Sequence, residues 1–127
     1  MECTVWPMLN LDTHIVIFHA IGSTTPRERD LIEQSRCVIS DIVFWELAML
    51  AGAGRIETNI QGAAFQSILV SLRAIPINLE IASMSTRLDF SSDPADEIIA
   101  ATSVVERIPL LTRDRRILKS RMVPFAK

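Results

Sequence analysis

The sequence MLNLDT at residues 8–13 decides the fold. Residues 5–11 are largely apolar and end directly at Asp12, which is typical of a buried strand followed by a polar loop. Pro7 lacks a backbone N–H, so we expect the strand to start near Met8. The residues that follow Asp12 have helical character, and Gly22 ends that helix. This opening predicts a strand that delivers a carboxylate to the edge of a sheet.

The same alternation of strand and helix continues along the chain. Further helices are predicted at about residues 26–35, 41–51, 59–72, 79–88, 94–106 and 115–119, and strands at about 37–39, 74–77, 109–112 and, as a last edge strand, 122–123. Parallel strands need helical crossovers, so the pattern predicts an α/β fold with a parallel sheet of four to five strands. In such sheets ligands gather at the carboxyl ends of the strands.

Length and composition predict one packed domain over residues 1–127. The chain has 127 residues, of which 49% are hydrophobic and 22% charged, the balance of a globular protein. No apolar run approaches the roughly 20 residues that span a bilayer, and the N-terminus has no basic cluster of a secretory signal. Cys3 and Cys37 have no metal-binding spacing, so we expect a cytoplasmic protein.

The net charge of −2 excludes a broadly basic nucleic-acid surface. Contact with a polyanion must therefore be local or bridged by a cation. Basic residues nevertheless cluster near the C-terminus, at Arg113, Arg115, Arg116, Lys119 and Arg121. They form either a solvated helix face or a patch that binds phosphate, to which guanidinium is well matched.

Four carboxylates are predicted to meet at one edge of the sheet. Asp12 follows the first strand, and Asp114 follows the fourth. Glu46 lies about two turns into the helix after the second strand, and Asp96 lies in the first turn of the helix opened by Asp93-Pro94. If the first and fourth strands are neighbours, these side chains share one pocket.

A cluster of this kind favours a hard divalent cation. Four carboxylates repel one another, and without a cation some would stay protonated. Oxygen ligands suit Mg²⁺ or Mn²⁺, and the absence of His and Cys from the set argues against zinc. A carboxylate-held Mg²⁺ commonly activates water and neutralises a phosphoryl group, which indicates phosphodiester chemistry.

Each carboxylate also has a purely structural interpretation. Asp12 could cap the helix that follows it, Asp96 could interact with the helix dipole, and Asp114 could be a turn residue. Glu46 is different, because it lies between IVFW and LAML in an apolar helix, and a buried carboxylate needs a partner.

Nearby polar residues have two interpretations as well. Thr13 and Thr112 could orient water or phosphate, or make ordinary turn hydrogen bonds. Ser40 is most simply a helix cap whose hydroxyl could face the site. His14 and His19 are interpreted as surface or packing residues.

Four blocks of the sequence resemble the PIN domain, and most of all its VapC-type toxins. The blocks are Leu11-Asp12-Thr13-His14, Ser40 with Trp45-Glu46, Asp93-Pro94-Ala95-Asp96 followed by Ile98 to Thr102, and Leu111-Thr112-Arg113-Asp114. Their order and spacing fit over nearly the whole chain. Two positions depart from the family pattern: Glu97 stands where an Arg is frequent, and Ser91-Ser92 stand where a His is frequent. The residues before Met8 are either an extension or the result of a mis-assigned start.

The resemblance implies a three-layer α/β/α fold with strand order 3-2-1-4-5. It implies Mg²⁺- or Mn²⁺-dependent cleavage of RNA, often tRNA or rRNA, a homodimer, and inhibition by a VapB-like antitoxin. Asp12, Glu46, Asp96 and Asp114 fall on the family's acidic quartet, and Asp93 is either a helper or a helix cap. Arg113, Arg115 and Arg116 are candidates for holding the RNA backbone.

Two other functions stay open at this stage. One is a metal-binding but catalytically inert PIN module that works by binding protein or RNA, which the high apolar content would suit. The other is a phosphoacceptor signalling domain, which expects an Asp after the third strand and a Lys after the last. Ile77-Asn78 and Val123-Pro124 occupy those places, so this second alternative is disfavoured.

Overall fold

A computed structural model describes residues 6–56 and 59–127 of the chain. Helices separate the strands along the chain as the sequence predicts, with two helices between each strand and the next. In chain order they are β1 (Met8–Leu11), α1 (Thr13–Ala20), α2 (Pro26–Glu33), β2 (Arg36–Ser40), α3 (Ile42–Gly52), α4 (Ala63–Val70), β3 (Arg73–Ile75), α5 (Leu79–Ser85), α6 (Pro94–Glu106), β4 (Leu110–Leu111) and α7 (Arg115–Leu118).

The strands form one parallel sheet in the order β3-β2-β1-β4. In β1, Asn10 pairs with Val38 of β2 on one side and with Leu110 of β4 on the other. The predicted α/β class and the order of the first four strands are therefore confirmed. Because β1 and β4 are neighbours and parallel, the residues that follow both strands lie at the same edge of the sheet.

The expected edge strand at residues 122–123 does not form. The hydroxyl oxygen of Ser120 accepts hydrogen bonds from the backbone N–H groups of Met122 and Val123, at 3.1 and 3.2 Å, so those donors are used in a turn. Pro124 has no N–H to offer. Beyond β4 the described residues form only one isolated parallel bridge, between Leu110 and Phe125.

Two helices are shorter than the apolar pattern predicts. The segment expected to be helical from residue 59 begins with a turn, in which the side chain of Asn59 accepts a hydrogen bond from Gln61 N at 3.0 Å. Helix α4 then starts only after Gly62, and α5 ends at Ser85 instead of near residue 88. Among the described helices, none combines the length and apolarity needed to cross a bilayer.

The core lies around β1 and the helix α6. Leu9 and Leu11 are buried with Ile15 and Ile99 in one apolar cluster. Asn10, which is completely buried, donates from its amide Nδ2 to Ser103 Oγ at 2.9 Å and to the carbonyl of Ile99 at 3.2 Å. These bonds connect β1, which Asp12 follows directly, to α6, which contains Asp96.

Candidate metal centre

Asp12 lies where β1 passes into α1, beside the end of β4. Its backbone N–H donates to the carbonyl of Leu111 at 3.1 Å, which fixes the end of one strand to the other. Its Oδ1 accepts from the backbone N–H of Thr13 at 2.8 Å, and its Oδ2 accepts from the hydroxyl of Thr112 at 2.7 Å. Asp12 is the N-cap residue of α1 and is only 4% exposed, so it serves the helix as well as the cleft.

Asp96 and Glu46 reach the same place from two helices that pack together. Asp96 is in the first turn of α6 and is 8% exposed, and its Oδ2 accepts from the hydroxyl of Ser92 at 2.9 Å. Glu46 is in the second turn of α3. Its Oε1 is buried and receives no hydrogen bond from any described residue.

One carboxylate oxygen from each of Asp12, Glu46 and Asp96 lies within 4.8 Å of the other two; we call these three residues the carboxylate cluster. A divalent cation fits this donor set, since it would be held entirely by hard oxygen ligands. The unpartnered Oε1 of Glu46 supports the same conclusion, because a buried carboxylate oxygen without a donor is costly. The structure thus brings together three of the four carboxylates that the sequence predicts at one pocket.

Burial and mutual repulsion act on the charges of the cluster. Burial raises the pKa of Asp12, although the hydroxyl of Thr112 and the nearby His14 act in the opposite direction. Burial, joined by the negative charges of Asp12, Glu46 and Asp114, raises the pKa of Asp96 from 3.8 to about 6. Carboxylates that resist ionisation in this way are stabilised when a cation neutralises them.

Asp114, the fourth predicted ligand, lies outside the carboxylate cluster. Its Oδ1 accepts from the backbone N–H groups of Arg116 and Ile117, at 2.8 and 3.4 Å, and so caps α7. The guanidinium Nε of Arg116 is 3.9 Å from the same oxygen. Asp114 still lines the cleft that contains the cluster. The sequence left open only a turn role as the structural interpretation of Asp114, and the structure shows that its side chain caps α7 and also lines the cleft.

The cleft above the cluster is open and has a volume of about 420 Å³. Its walls combine acidic, basic and apolar side chains, namely Asp12, His14, Phe18, Glu46, Leu50, Arg55, Asp93, Asp96, Arg113, Asp114 and Arg116. Arg116 is therefore at the cleft as expected, whereas Arg115 is exposed and is absent from its lining.

Arg113 is held by protein groups. Its Nε and Nη2 donate to the carboxylate of Glu28 at 2.8 and 2.7 Å, and Nη2 also donates to the carbonyl of Ser23 at 3.1 Å. Its guanidinium carbon lies 3.9 Å above the centre of the Phe18 ring. The sequence suggested Arg113 as an RNA contact, but two of its three nitrogens are already engaged in the fold.

The predicted auxiliary residues differ in their contacts with the carboxylate cluster and in their hydrogen bonds. The hydroxyl of Thr112 links the two strand ends, because it donates to Asp12 and accepts from the backbone N–H of Asp114 at 3.0 Å. Thr13 is buried and its hydroxyl has no described partner. Ser40 is buried and accepts from Ile42 N at 3.3 Å, while Asp93 lines the cleft and precedes α6 without a side-chain cap bond.

Three residues at the site were not proposed from the sequence. Ser92 contacts Asp96 directly, although the sequence marked it only as a departure from the family pattern. Arg55 lines the cleft just after the turn at residues 53–54 that follows α3, where no periodic signal identifies it. Glu28 is buried against Arg113 from 85 residues away, a pairing that local sequence patterns do not reveal.

Together the fold and the cluster define a parallel α/β protein with an acidic cleft at the carboxyl edge of its sheet. The PIN domain family model matches residues 10–121, and the chain belongs to that family. The match covers all three residues of the carboxylate cluster.

Relatives agree with this assignment. The chain is 33% identical over 86 residues to Ribonuclease VapC22 of Mycobacterium tuberculosis (strain ATCC 25618 / H37Rv), an alignment that covers 65% of this chain and 66% of that protein. The chain thus matches just under two thirds of that relative's length.

Solved structures share the fold at low identity. One is VapBC2 from Rickettsia felis bound to a DNA fragment from its promoter, with a TM-score of 0.73, 16% identity, and coverage of 94% of this chain and 97% of that one. Another is FitAcB from Neisseria gonorrhoeae, with a TM-score of 0.73, 20% identity and the same coverage. A toxin–antitoxin complex from Klebsiella pneumoniae has a TM-score of 0.66 and 24% identity over 87% of this chain and 90% of that one.

Proposed function

We propose that this chain is a metal-dependent endoribonuclease, the VapC-like toxin of a type II toxin–antitoxin pair. The observation that carries the proposal is the carboxylate cluster, in which each of Asp12, Glu46 and Asp96 offers an oxygen to one site and a buried oxygen of Glu46 has no hydrogen-bond donor among the described residues. The identity to a protein named as a ribonuclease supports the same activity. We further propose that residues 1–127 form a single domain that works in the cytoplasm.

The cation that best suits the cluster is Mg²⁺ or Mn²⁺. Asp12, Glu46 and Asp96 would hold it, and Asp114 would act from the adjacent wall of the cleft, either through water or after a change of rotamer. When bound, such a cation supplies activated water and neutralises charge on the phosphoryl group.

The protein groups around the cluster prepare it for a phosphate. The hydroxyl of Thr112 keeps Asp12 oriented, and Ser92 does the same for Asp96. Arg55 and Arg116 lie in the same cleft and are available to bind the flanking RNA backbone, with Arg115 further out on α7. Basic side chains at the rim would offset the repulsion between a polyanion and an acidic site.

The proposed partners are a VapB-like antitoxin and a second copy of this chain. Helix α3 leaves Phe44, Trp45 and Met49 about half exposed, which is unusual for large apolar side chains on one helix. The structural neighbours include VapBC2 of Rickettsia felis and a toxin–antitoxin complex of Klebsiella pneumoniae, which supports an antitoxin as partner.

The test is cleavage of tRNA and rRNA by the purified chain. We expect cleavage with Mg²⁺ or Mn²⁺, none with excess chelator, and recovery when the metal is restored. Asp96→Asn should abolish activity, because it removes a charge from the cluster and keeps the size of the side chain. Asp30→Asn, an identical change at an exposed position of α2, is the matched control and should cleave normally.

Chelator-resistant cleavage, or full activity of Asp96→Asn, would refute the proposal. The inert alternative, a PIN module that binds metal but only acts by binding a partner, is not favoured because the relative that is 33% identical to this chain is named a ribonuclease.

A further inference from the structure

An ion pair between the buried Glu28 and the partly exposed Arg113 joins α2 to the β4–α7 turn beside the carboxylate cluster. Glu28 is only 5% exposed although it lies in the first turn of α2. Its Oε2 accepts from Arg113 Nε at 2.8 Å, and its Oε1 accepts from Arg113 Nη2 at 2.7 Å. Two parallel bonds of this kind fix the orientation of a guanidinium as well as its distance.

Both members of the pair are restrained by further contacts. The backbone N–H of Thr25 donates to Glu28 Oε1 at 2.9 Å, and the backbone N–H of Glu28 donates to Thr25 Oγ1 at 3.1 Å, a reciprocal capping box. Arg113 also donates to the carbonyl of Ser23 and stacks on Phe18. Neither side chain can shift without breaking several contacts.

The position of Arg113 in the chain connects this pair to the site. It lies between Thr112, whose hydroxyl donates to Asp12 Oδ2 at 2.7 Å, and Asp114, whose backbone N–H donates to Thr112 Oγ1 at 3.0 Å. The turn that carries these bonds therefore has its central residue anchored to another helix. Any movement of that turn would change the direction of the Asp12 carboxylate.

We propose that Glu28 is a positioning residue for the carboxylate cluster. It holds Arg113, and through Arg113 it holds the turn whose Thr112 hydroxyl orients Asp12. This inference rests on the proposed function, since it assigns Glu28 a role in preparing the cation site. It also gives Arg113 a role inside the protein.

The experiment measures Mn²⁺ affinity by calorimetric titration of the full chain, at a temperature well below the unfolding midpoint of every variant. Glu28→Gln should bind Mn²⁺ about 10–100-fold more weakly than the unsubstituted chain, the usual cost of losing a group that orients a metal ligand. Glu33→Gln, the same change at an exposed position of α2, should leave the affinity unchanged.

A second variant separates positioning from stability. Arg113→Lys keeps the charge but loses the two parallel bonds, and it should weaken Mn²⁺ binding as Glu28→Gln does. If Glu28 and Arg113 act through one contact, a variant that carries both substitutions should bind Mn²⁺ as tightly as whichever single variant has the lower affinity. A role confined to stability would lower the unfolding midpoint and leave the Mn²⁺ affinity unchanged.

The outcomes distinguish this inference from the proposed function. Unchanged Mn²⁺ affinity in Glu28→Gln or in Arg113→Lys would overturn the positioning role alone. Strictly additive losses in the double variant would overturn it too. Failure of the unsubstituted chain to bind Mn²⁺ would overturn the proposed function and the positioning role with it.

Discussion

Replacing Asp96 by Asn is expected to stabilise the metal-free protein at pH 8 while it destroys the cation site. Asp96 is buried beside two other carboxylates, and its pKa is raised from 3.8 to about 6. At pH 8 the unsubstituted chain must therefore keep an unfavourable buried charge. Asn has nearly the same shape, and its amide oxygen can still accept the hydrogen bond from Ser92.

The size of the effect follows from the shift in pKa. At 1.36 kcal/mol per unit, a rise from 3.8 to about 6 corresponds to at most about 3 kcal/mol of lost stability. The pKa of Asp96 is higher in the folded chain than in the unfolded chain. The stability of the folded chain is therefore undiminished by Asp96 below pH 3.8, and it falls as the pH rises through about 6. Asn does not titrate, so the gain from the substitution should be small at pH 4 and about 1–3 kcal/mol at pH 8.

The assay is urea and thermal unfolding in the presence of chelator, at pH 4 and at pH 8. For a domain of this size a gain of 1–3 kcal/mol should raise the unfolding midpoint by about 3–12 °C. Asp30→Asn, at an exposed position, is the control and should change the midpoint little at either pH. A gain that is absent at pH 8, or equally large at pH 4, would refute the electrostatic reasoning.

Three further predictions concern the groups around the cluster. Thr112→Val should destabilise the protein by about 1–3 kcal/mol, measured by urea unfolding, because it leaves a buried oxygen of Asp12 without its donor, whereas Thr112→Ser should restore the loss. The hydrogen bonds from Arg113 hold the pKa of Glu28 below its usual 4.5. The unsubstituted chain should therefore exceed Glu28→Gln in stability by the full amount above pH 4.5, and this difference should shrink as the pH falls below 4.5. A difference independent of pH would contradict this reasoning. Saturating Mn²⁺ at 100 times its dissociation constant should stabilise the unsubstituted chain by about 2.7 kcal/mol, seen as a raised midpoint that chelator reverses, and should not stabilise Asp96→Asn.

Most of the fold could be predicted from local patterns. The apolar run that ends at Asp12 identifies β1, and Thr25-Pro26 and Asp93-Pro94 mark the starts of α2 and α6. The order of the four strands came from the family resemblance. The prediction of an edge strand at 122–123 was wrong because the hydroxyl of Ser120 accepts hydrogen bonds from the backbone N–H groups that a strand would use.

Part of the site could be predicted from the sequence, and the burial and hydrogen bonds of three residues explain which part. Glu46 was recognised because a carboxylate in an apolar helix is costly unless it has a partner, and its unpartnered oxygen agrees with that reasoning. Asp114 lies in the cleft but outside the cluster, since its side chain caps α7. Glu28 was missed because its partner, Arg113, is far away in sequence and meets it only in the folded chain.

The most direct test is a crystal structure of the chain with bound Mn²⁺, located by its anomalous scattering. We expect one strong peak between Asp12, Glu46 and Asp96, with carboxylate oxygens about 2.0–2.3 Å from it, close to the distances usual for a small hard dication. No peak at saturating Mn²⁺, or a peak that leaves out Glu46 or Asp96, would contradict the account.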